Sequence, residues 1–161
     1  MLVGVDYGTR RIGLAIADPE VRLASPLLTL TTPKRAEANA GRDASGAARA
    51  AADAERVATA VAEYRPTRYV VGLPLSMDGT DSAQTRLTRA FAAALQTHTG
   101  VPVDLWDERL SSFQADELAE SAGIRKGQRK AARDALAALV ILQSYLARDA
   151  RDDIDPTAPS W

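Results

Sequence analysis

The amino-terminal stretch MLVGVDYGTRRIGLAIA, residues 1–17, decides most of the fold. It contains two apolar runs, residues 2–5 and 12–17, which flank an acid, a Gly-Thr pair and two arginines. Short apolar runs bounded by glycine and polar residues are typical of buried strands joined by a tight turn. The pattern predicts two neighbouring strands, with the carboxylate of Asp6 at the end of the first and cations in the turn beside it.

Length and composition predict a single globular domain. The chain has 161 residues, of which 46% are hydrophobic and 25% charged, values that are ordinary for such a domain. Its apolar stretches are far shorter than the roughly 20 residues of a membrane-spanning helix. The first residues lack a basic segment and soon reach an acid, which argues against a signal peptide. We therefore expect no membrane association.

The counts of cysteine and histidine narrow the possible chemistry. The absence of cysteine excludes disulfides and thiolate metal sites, and it fits a reducing cytoplasm. A single histidine, His98, argues against a histidine-based zinc site and against a Ser-His-Asp triad.

The charge balance does not by itself indicate a nucleic-acid-binding protein, because the formal net charge is −1 and such domains are often strongly basic. A polyanionic partner would require cations concentrated on one face. Each cation taken alone is better explained as a solvated surface residue. Several nevertheless lie near the acids discussed below: Arg10, Arg11, Arg109, Arg125, Lys126, Arg129, Lys130 and Arg133.

The rest of the chain predicts strands that alternate with helices. A third strand is expected over residues 22–30, then an Ala/Arg/Gly-rich loop, then a helix over 47–64 that ends before Pro66. Strands over 69–74 and 101–106 flank a helix that Asp81 or Ser82 would cap and Gly100 would end. Two further helices are expected over 113–121 and 130–148. The order predicts an α/β fold: a five-stranded mixed sheet, with an antiparallel meander plus parallel strands, flanked by helices.

The domain is expected to span residues 1–148. Residues 149–161 contain four aspartates and two prolines, and we interpret them as an acidic, disordered tail. In a sheet of this kind the ligand site lies at the carboxyl ends of the parallel strands, where the chain changes direction.

Three acids, Asp6, Glu108 and Asp134, stand where this organisation would bring them together. Each has an ordinary alternative explanation: Asp6 as a turn cap, Glu108 in a surface ion pair, and Asp134 as an acid near a helix start. Alanines around Asp134 would let its helix approach the sheet closely. Taken together, carboxylates without histidine or cysteine favour Mg²⁺ or Mn²⁺. Two such ions about 4 Å apart can support phosphodiester hydrolysis.

Four sequence blocks, in this order and spacing, resemble the YqgF family. They are GVDYGTRRIGLA from residue 4, VGLPLSMDGT from residue 71, DERLS from residue 107, and DALAA with ILQSYL between residues 134 and 146. Members of the family are described as pre-16S rRNA nucleases or Holliday-junction-resolvase-like nucleases. The resemblance implies an RNase H-like fold, Mg²⁺- or Mn²⁺-dependent phosphodiester cleavage, a cytoplasmic location and a role in maturing the 5′ end of 16S rRNA.

The same resemblance places Asp6, Glu108 and Asp134 at the acidic, metal-binding catalytic positions. Asp78 and Asp107 are secondary candidates, expected to shape a loop or to support the metal ligands. The stretch of residues 34–52 and the acidic tail depart from the family pattern, and the former could change which substrates fit. Contacts to the nucleic acid are expected from six residues: Thr9, Arg10, Arg11, Arg109, Ser111 and Lys130.

Several functions stay open at this point. The substrate could be precursor rRNA, cut by a monomer, or a branched DNA junction, whose symmetrical cleavage requires a homodimer. The protein could instead be a non-catalytic, RNA-binding ribosome-assembly factor. A third alternative is an actin-like ATP phosphotransferase, because Asp6-Tyr7-Gly8-Thr9 also resembles the first phosphate loop of those kinases. Against it, the chain has room for one lobe and lacks a second glycine-rich phosphate segment.

Overall fold

The computed structural model describes residues 1–32, 42–76, 80–108 and 129–152. In these segments five strands and three helices follow one another. The strands are β1 (Leu2–Tyr7), β2 (Arg11–Asp18), β3 (Leu23–Thr31), β4 (Arg68–Leu73) and β5 (Val103–Asp107). The helices are α1 (Arg42–Val61), continued by a 3₁₀ turn over Ala62–Tyr64, then α2 (Ala83–Thr99) and α3 (Arg129–Asp152).

The strands form one mixed sheet in the order β3-β2-β1-β4-β5. The meander β1-β2-β3 is antiparallel, whereas β4 pairs parallel to β1 and β5 parallel to β4. This arrangement confirms the predicted five-stranded sheet, and it puts the carboxyl ends of β1, β4 and β5 at the same edge.

Helices cover both faces of the sheet, so the central strands are apolar on both sides. On one face α1 and α2 pack against odd-numbered residues of β1 such as Val3 and Val5, and Phe91 of α2 stacks on Tyr7 with ring centroids 4.1 Å apart. On the other face α3 packs with Leu142 and Leu146 against residues such as Ala15 and Val70. The two cores are separate because successive strand side chains alternate between faces.

The ends of the helices partly agree with the predictions. Ser82 caps α2, accepting a hydrogen bond from the Thr85 N–H, and Gly100 ends it in the left-handed conformation. Helix α1 starts at Arg42, about five residues before the expected start, since the Ala/Arg-rich sequence there favours a helix and tolerates Gly46. The helix predicted over residues 113–121 lies outside the described residues.

Helix α3 continues to Asp152, four residues past the boundary predicted at 148. Neither glycine nor proline interrupts the sequence until Pro156, so nothing stops the helix at Arg148. Residues 153–161 of the predicted tail lie outside the described residues.

Candidate active site

The turn between β1 and β2 holds the first group of predicted site residues. The Gly8 N–H donates to the carbonyl oxygen of Arg11 at 2.9 Å and closes the turn. Thr9 and Arg10 are exposed at its tip, where a phosphate could reach them. Asp6 lies just before the turn, inside β1, and pairs with Gly13 of β2.

Asp6 lies on the face of the sheet that α3 covers. Gly4, two residues earlier and therefore on the same face, approaches α3 so closely that a Cβ there would lie 2.8 Å from the carbonyl oxygen of Ala138. Tyr7 belongs to the opposite core, under α1 and α2. The side chain of Asp6 is thus directed toward the helix that carries Asp134.

Two glycines on either side of Asp6 allow the other acids to approach the sheet. At Gly13, a Cβ would lie 1.8 Å from the carbonyl oxygen of Asp134, so only glycine lets α3 touch β2 there. At Gly72 of β4, a Cβ would lie 2.6 Å from Oε1 of Glu108. Gly72 follows Val71, the partner of Val5. Glu108 and the backbone of Asp134 therefore lie over the strands that flank Asp6.

Electrostatics also link the three acids. Burial raises the pKa of Asp6 to about 7, with further increases from the negative charges of Glu108 and Asp134. Burial likewise raises the pKa of Glu108, and the charge of Asp107 adds to the effect. Within the described part of the chain, Asp6 forms no salt bridge that would offset this cost. These carboxylates are held in an environment that disfavours their ionised forms.

Asp134 has a cation beside it. Nε of Arg11 lies 2.7 Å from Oδ2 of Asp134, and the two side chains are 49% and 19% exposed. This close ion pair is not a hydrogen bond, since Oδ2 of Asp134 is buried and accepts none from the residues described here. Across the same residues, no three Asp, Glu or His side chains already form a cluster that could hold a metal ion.

Several predicted site residues cannot be placed. Asp78, Arg109 and Ser111 lie outside the described residues, and of Lys130 only the backbone, in the first turn of α3, is described. Asp107 is the last residue of β5, where it pairs with Leu73. Its negative charge helps to raise the pKa of Glu108, after the larger effect of burial.

The structure adds residues that the sequence analysis did not single out. Asp53 and Arg49 of α1 and Gln84 of α2 contact the end of β1 and its turn from the opposite face. One signal was available for Asp53: it shares the buried face of α1 with Ala50, Ala54 and Val57. A charged residue within an apolar stripe is informative, because Asp is almost never fully buried unless it is paired.

None of the described helices contains an apolar stretch long enough to cross a bilayer.

Comparison with known proteins identifies the relatives of the chain. The RuvX family, described as Holliday junction resolvase, matches residues 1–148. A protein of Anaeromyxobacter sp. (strain K) is 43% identical over 148 residues, covering 92% of this chain and 97% of its own. A protein of Lachnospira eligens is 41% identical over 145 residues, covering 90% and 95%. Both carry the name "Putative pre-16S rRNA nuclease".

Solved structures support the fold independently. Thermus thermophilus RuvC in complex with a Holliday junction substrate superposes with a TM-score of 0.58 at 18% identity, covering 94% of this chain and 95% of RuvC. A second Thermus thermophilus RuvC structure gives a TM-score of 0.54, also at 18% identity, covering 92% of this chain and 96% of RuvC. The predicted RNase H-like fold is thereby confirmed. From its sequence and its architecture, the chain belongs to the RuvX family, which is also called YqgF.

Proposed function

We propose that this protein is a divalent-metal-dependent nuclease that hydrolyses phosphodiesters, with Asp6, Glu108 and Asp134 as the metal-binding acids. The observation that carries the proposal is the environment of Asp6, a partly buried carboxylate whose pKa is raised to about 7 by its burial and by two neighbouring acids. Such an arrangement destabilises the protein, and a bound cation would relieve the repulsion.

The donor set fits a hard cation. It consists of carboxylate oxygens, which Mg²⁺ and Mn²⁺ prefer. One of them, Oδ2 of Asp134, is buried and accepts no hydrogen bond from a described residue. When bound, such ions would activate the attacking water and stabilise the leaving oxygen. Asp6 must lose its proton to take part, so metal affinity is expected to rise with pH up to about its pKa of 7.

Basic and hydroxyl side chains beside the acids would hold the substrate. Thr9 and Arg10 are exposed in the turn that follows Asp6, and the guanidinium of Arg11 lies beside Asp134. A phosphate placed over the acids could therefore accept charge-assisted hydrogen bonds from this turn. Arg109, Ser111 and Lys130 are proposed as further contacts on the basis of the sequence.

The proposed substrate is precursor 16S rRNA, at its 5′ end. Support comes from the names of relatives that share 41–43% identity across nearly the whole chain. A cytoplasmic location and a monomeric state accompany this proposal and remain predictions.

A four-way DNA junction is the second candidate substrate, because the RuvX family is described as Holliday junction resolvase. Cutting such a junction symmetrically requires two active sites and hence a homodimer. The two candidates therefore differ in the oligomeric state that they require as well as in the nucleic acid.

The test is cleavage of precursor 16S rRNA and of a four-way junction in Mg²⁺ or Mn²⁺. Asp6→Asn is expected to lower kcat at least ~1000-fold, because it removes a metal-binding charge. Asp18→Asn is the matched control, since Asp18 lies at the far end of β2 and caps a turn through the Glu20 N–H. Equal activity in wild type and Asp6→Asn would reject the catalytic role of Asp6. No cleavage by the wild type would favour a non-catalytic binding factor.

A further inference from the structure

A buried carboxylate on α1 links this helix to β1. Asp53 is 2% exposed, and its Oδ2 accepts a hydrogen bond of 2.9 Å from the hydroxyl of Tyr7. Burial raises the pKa of Tyr7, and the charge of Asp53 raises it further, so the hydroxyl remains a donor. Tyr7 directly follows Asp6 but belongs to the opposite face.

Two arginines neutralise Asp53, and each reaches a different part of the sheet. Nε of Arg49 lies 3.4 Å from Oδ2 of Asp53, and Nη1 of Arg56 lies 3.3 Å from Oδ1. Nη2 of Arg56 donates a hydrogen bond of 2.7 Å to the carbonyl oxygen of Thr31, at the end of β3. Arg49 donates to the carbonyl oxygens of Gly8, at 3.4 Å, and of Thr9.

Arg49 therefore donates hydrogen bonds to two successive carbonyl groups of the β1–β2 turn. Two other backbone hydrogen bonds hold the turn among the described residues: one within it, from Gly8 to Arg11, and one from the Thr32 N–H to the carbonyl oxygen of Arg10, at 2.8 Å. Gln84 adds a third contact from the same side, donating to the carbonyl oxygen of Tyr7 at 2.6 Å. The segment that carries Thr9 and Arg10 is thus fixed by Arg49 and Gln84, which contact it from the face of the sheet opposite Asp6.

We propose that Arg49, held in place by Asp53, is a positioning residue that fixes the β1–β2 turn so that Thr9 and Arg10 meet a substrate phosphate. The inference rests on the proposed nuclease function. Thr32 anchors the carbonyl group of Arg10, but without Arg49 the peptide groups of Gly8 and Thr9 would sample more conformations, and each binding event would have to restrict them. A turn fixed in advance avoids that cost, so the loss of Arg49 should weaken substrate binding more than catalysis.

Arg56 provides a matched control on the same helix. Both arginines pair with Asp53, and their side chains are similarly exposed, 31% for Arg49 and 35% for Arg56. Arg49→Met and Arg56→Met each remove one partner of Asp53, but only Arg49 directly contacts Gly8 and Thr9 of the turn, whereas Arg56 contacts Thr31 at the end of β3. The free energy of unfolding should therefore fall similarly in both variants. Effects that appear only in Arg49→Met report on the turn.

The first readout is amide hydrogen exchange of Gly8, whose N–H closes the turn. In Arg49→Met the exchange is expected to be at least about tenfold faster than in the wild type, and in Arg56→Met unchanged. The second readout is binding and cleavage of the nucleic acid. Arg49→Met should raise the Kd and the KM about tenfold and change kcat less than about twofold. Arg49→Lys should reproduce the weaker binding while keeping the fold, because one ammonium retains the charge beside Asp53 but cannot bridge both carbonyls.

Equal Gly8 exchange in Arg49→Met and Arg56→Met would overturn the inference, as would faster exchange with unchanged nucleic-acid affinity. If Arg49→Met does not fold, Arg49→Lys gives the same decision against Arg56→Met. Absence of cleavage by the wild type would count against the proposed function only, because Gly8 exchange and nucleic-acid affinity are both measured without turnover.

Discussion

Two aspartates on opposite faces of one sheet have opposite electrostatic surroundings. Asp53, under α1, is paired with two arginines and with the Tyr7 hydroxyl. Asp6, under α3, is partly buried near Glu108 and Asp134, and both this burial and their negative charges raise its pKa. The two environments meet at β1, because Asp6 and Tyr7 are consecutive residues of that strand and Tyr7 is a hydrogen-bond partner of Asp53.

This difference indicates that the acid on one face stabilises the fold and that the acids on the other serve a function. Buried charge is tolerated when it is paired and hydrogen-bonded, as it is at Asp53. Repulsion among partly buried acids lowers stability, so its presence indicates a functional site. A cation that binds between these acids would supply the missing charge.

On the face of the sheet that carries Asp6, α3 packs directly against Gly13. A substitution there should have the largest effect on stability. Gly13→Ala should lower the free energy of unfolding by at least about 4 kcal/mol, because its Cβ would overlap the backbone of α3 at Asp134. Gly46→Ala in α1 is the control: a Cβ there meets no atom within 4 Å, and alanine should stabilise the helix by about 0.5–1 kcal/mol. Urea unfolding measures both. A loss below about 1 kcal/mol in Gly13→Ala would contradict this contact of helix and strand.

On the opposite face of the sheet, neutralising the carboxylate of Asp53 should lower the stability of the fold. Asp53→Asn leaves two arginines without their counter-charge, and the free energy of unfolding at pH 7 should fall by about 2–3 kcal/mol. The control is Asp81→Asn, which breaks the exposed pair of Asp81 with Arg89, 3.6 Å apart, and should change it by less than about 0.5 kcal/mol. If thermal unfolding shows the two variants to be equally stable, the network around Asp53 does not stabilise the fold.

On the face of the sheet that carries Asp6, replacing aspartate by asparagine should instead increase the stability of the fold. The pKa of Asp6 is raised from 3.8 to about 7, so the folded protein binds this proton more tightly than the unfolded chain does. The resulting stability is fully present below about pH 4 and is lost as the pH rises to about 7. Without divalent metal, Asp6→Asn should therefore raise the Tm by about 3–5 °C at pH 8 and by less at pH 5. A lower Tm at pH 8 would show that Asp6 is stabilised rather than strained.

Sequence patterns were sufficient for the five strands, for the three described helices and for the acids that approach one another. Apolar runs and glycines located the five strands, and the alanines beside Asp134 indicated that its helix would pack closely. The strand order then follows from a meander followed by parallel strands. Glu108 and Asp134 were identified by position and residue type, and their charges do act on Asp6; their metal-binding role remains a prediction.

Side-chain pairing across elements could not be predicted in the same way. Arg11 was expected to bind phosphate, and its partner in the structure is Asp134, 123 positions away in a chain of 161 residues. The contact of Arg49 with the turn depends on how α1 crosses the sheet, which periodicity does not determine. Helix ends differed as well, because propensity changes gradually along an Ala-rich sequence.

The most direct test of the central claim is the anomalous scattering of Mn²⁺ in crystals of the protein grown or soaked above pH 7. The account predicts a peak within coordination distance of Asp6 and of at least one of Glu108 and Asp134, and its absence in Asp6→Asn. An ordered site without such a peak, or an equal peak in the variant, would contradict the assignment of these acids as a metal site.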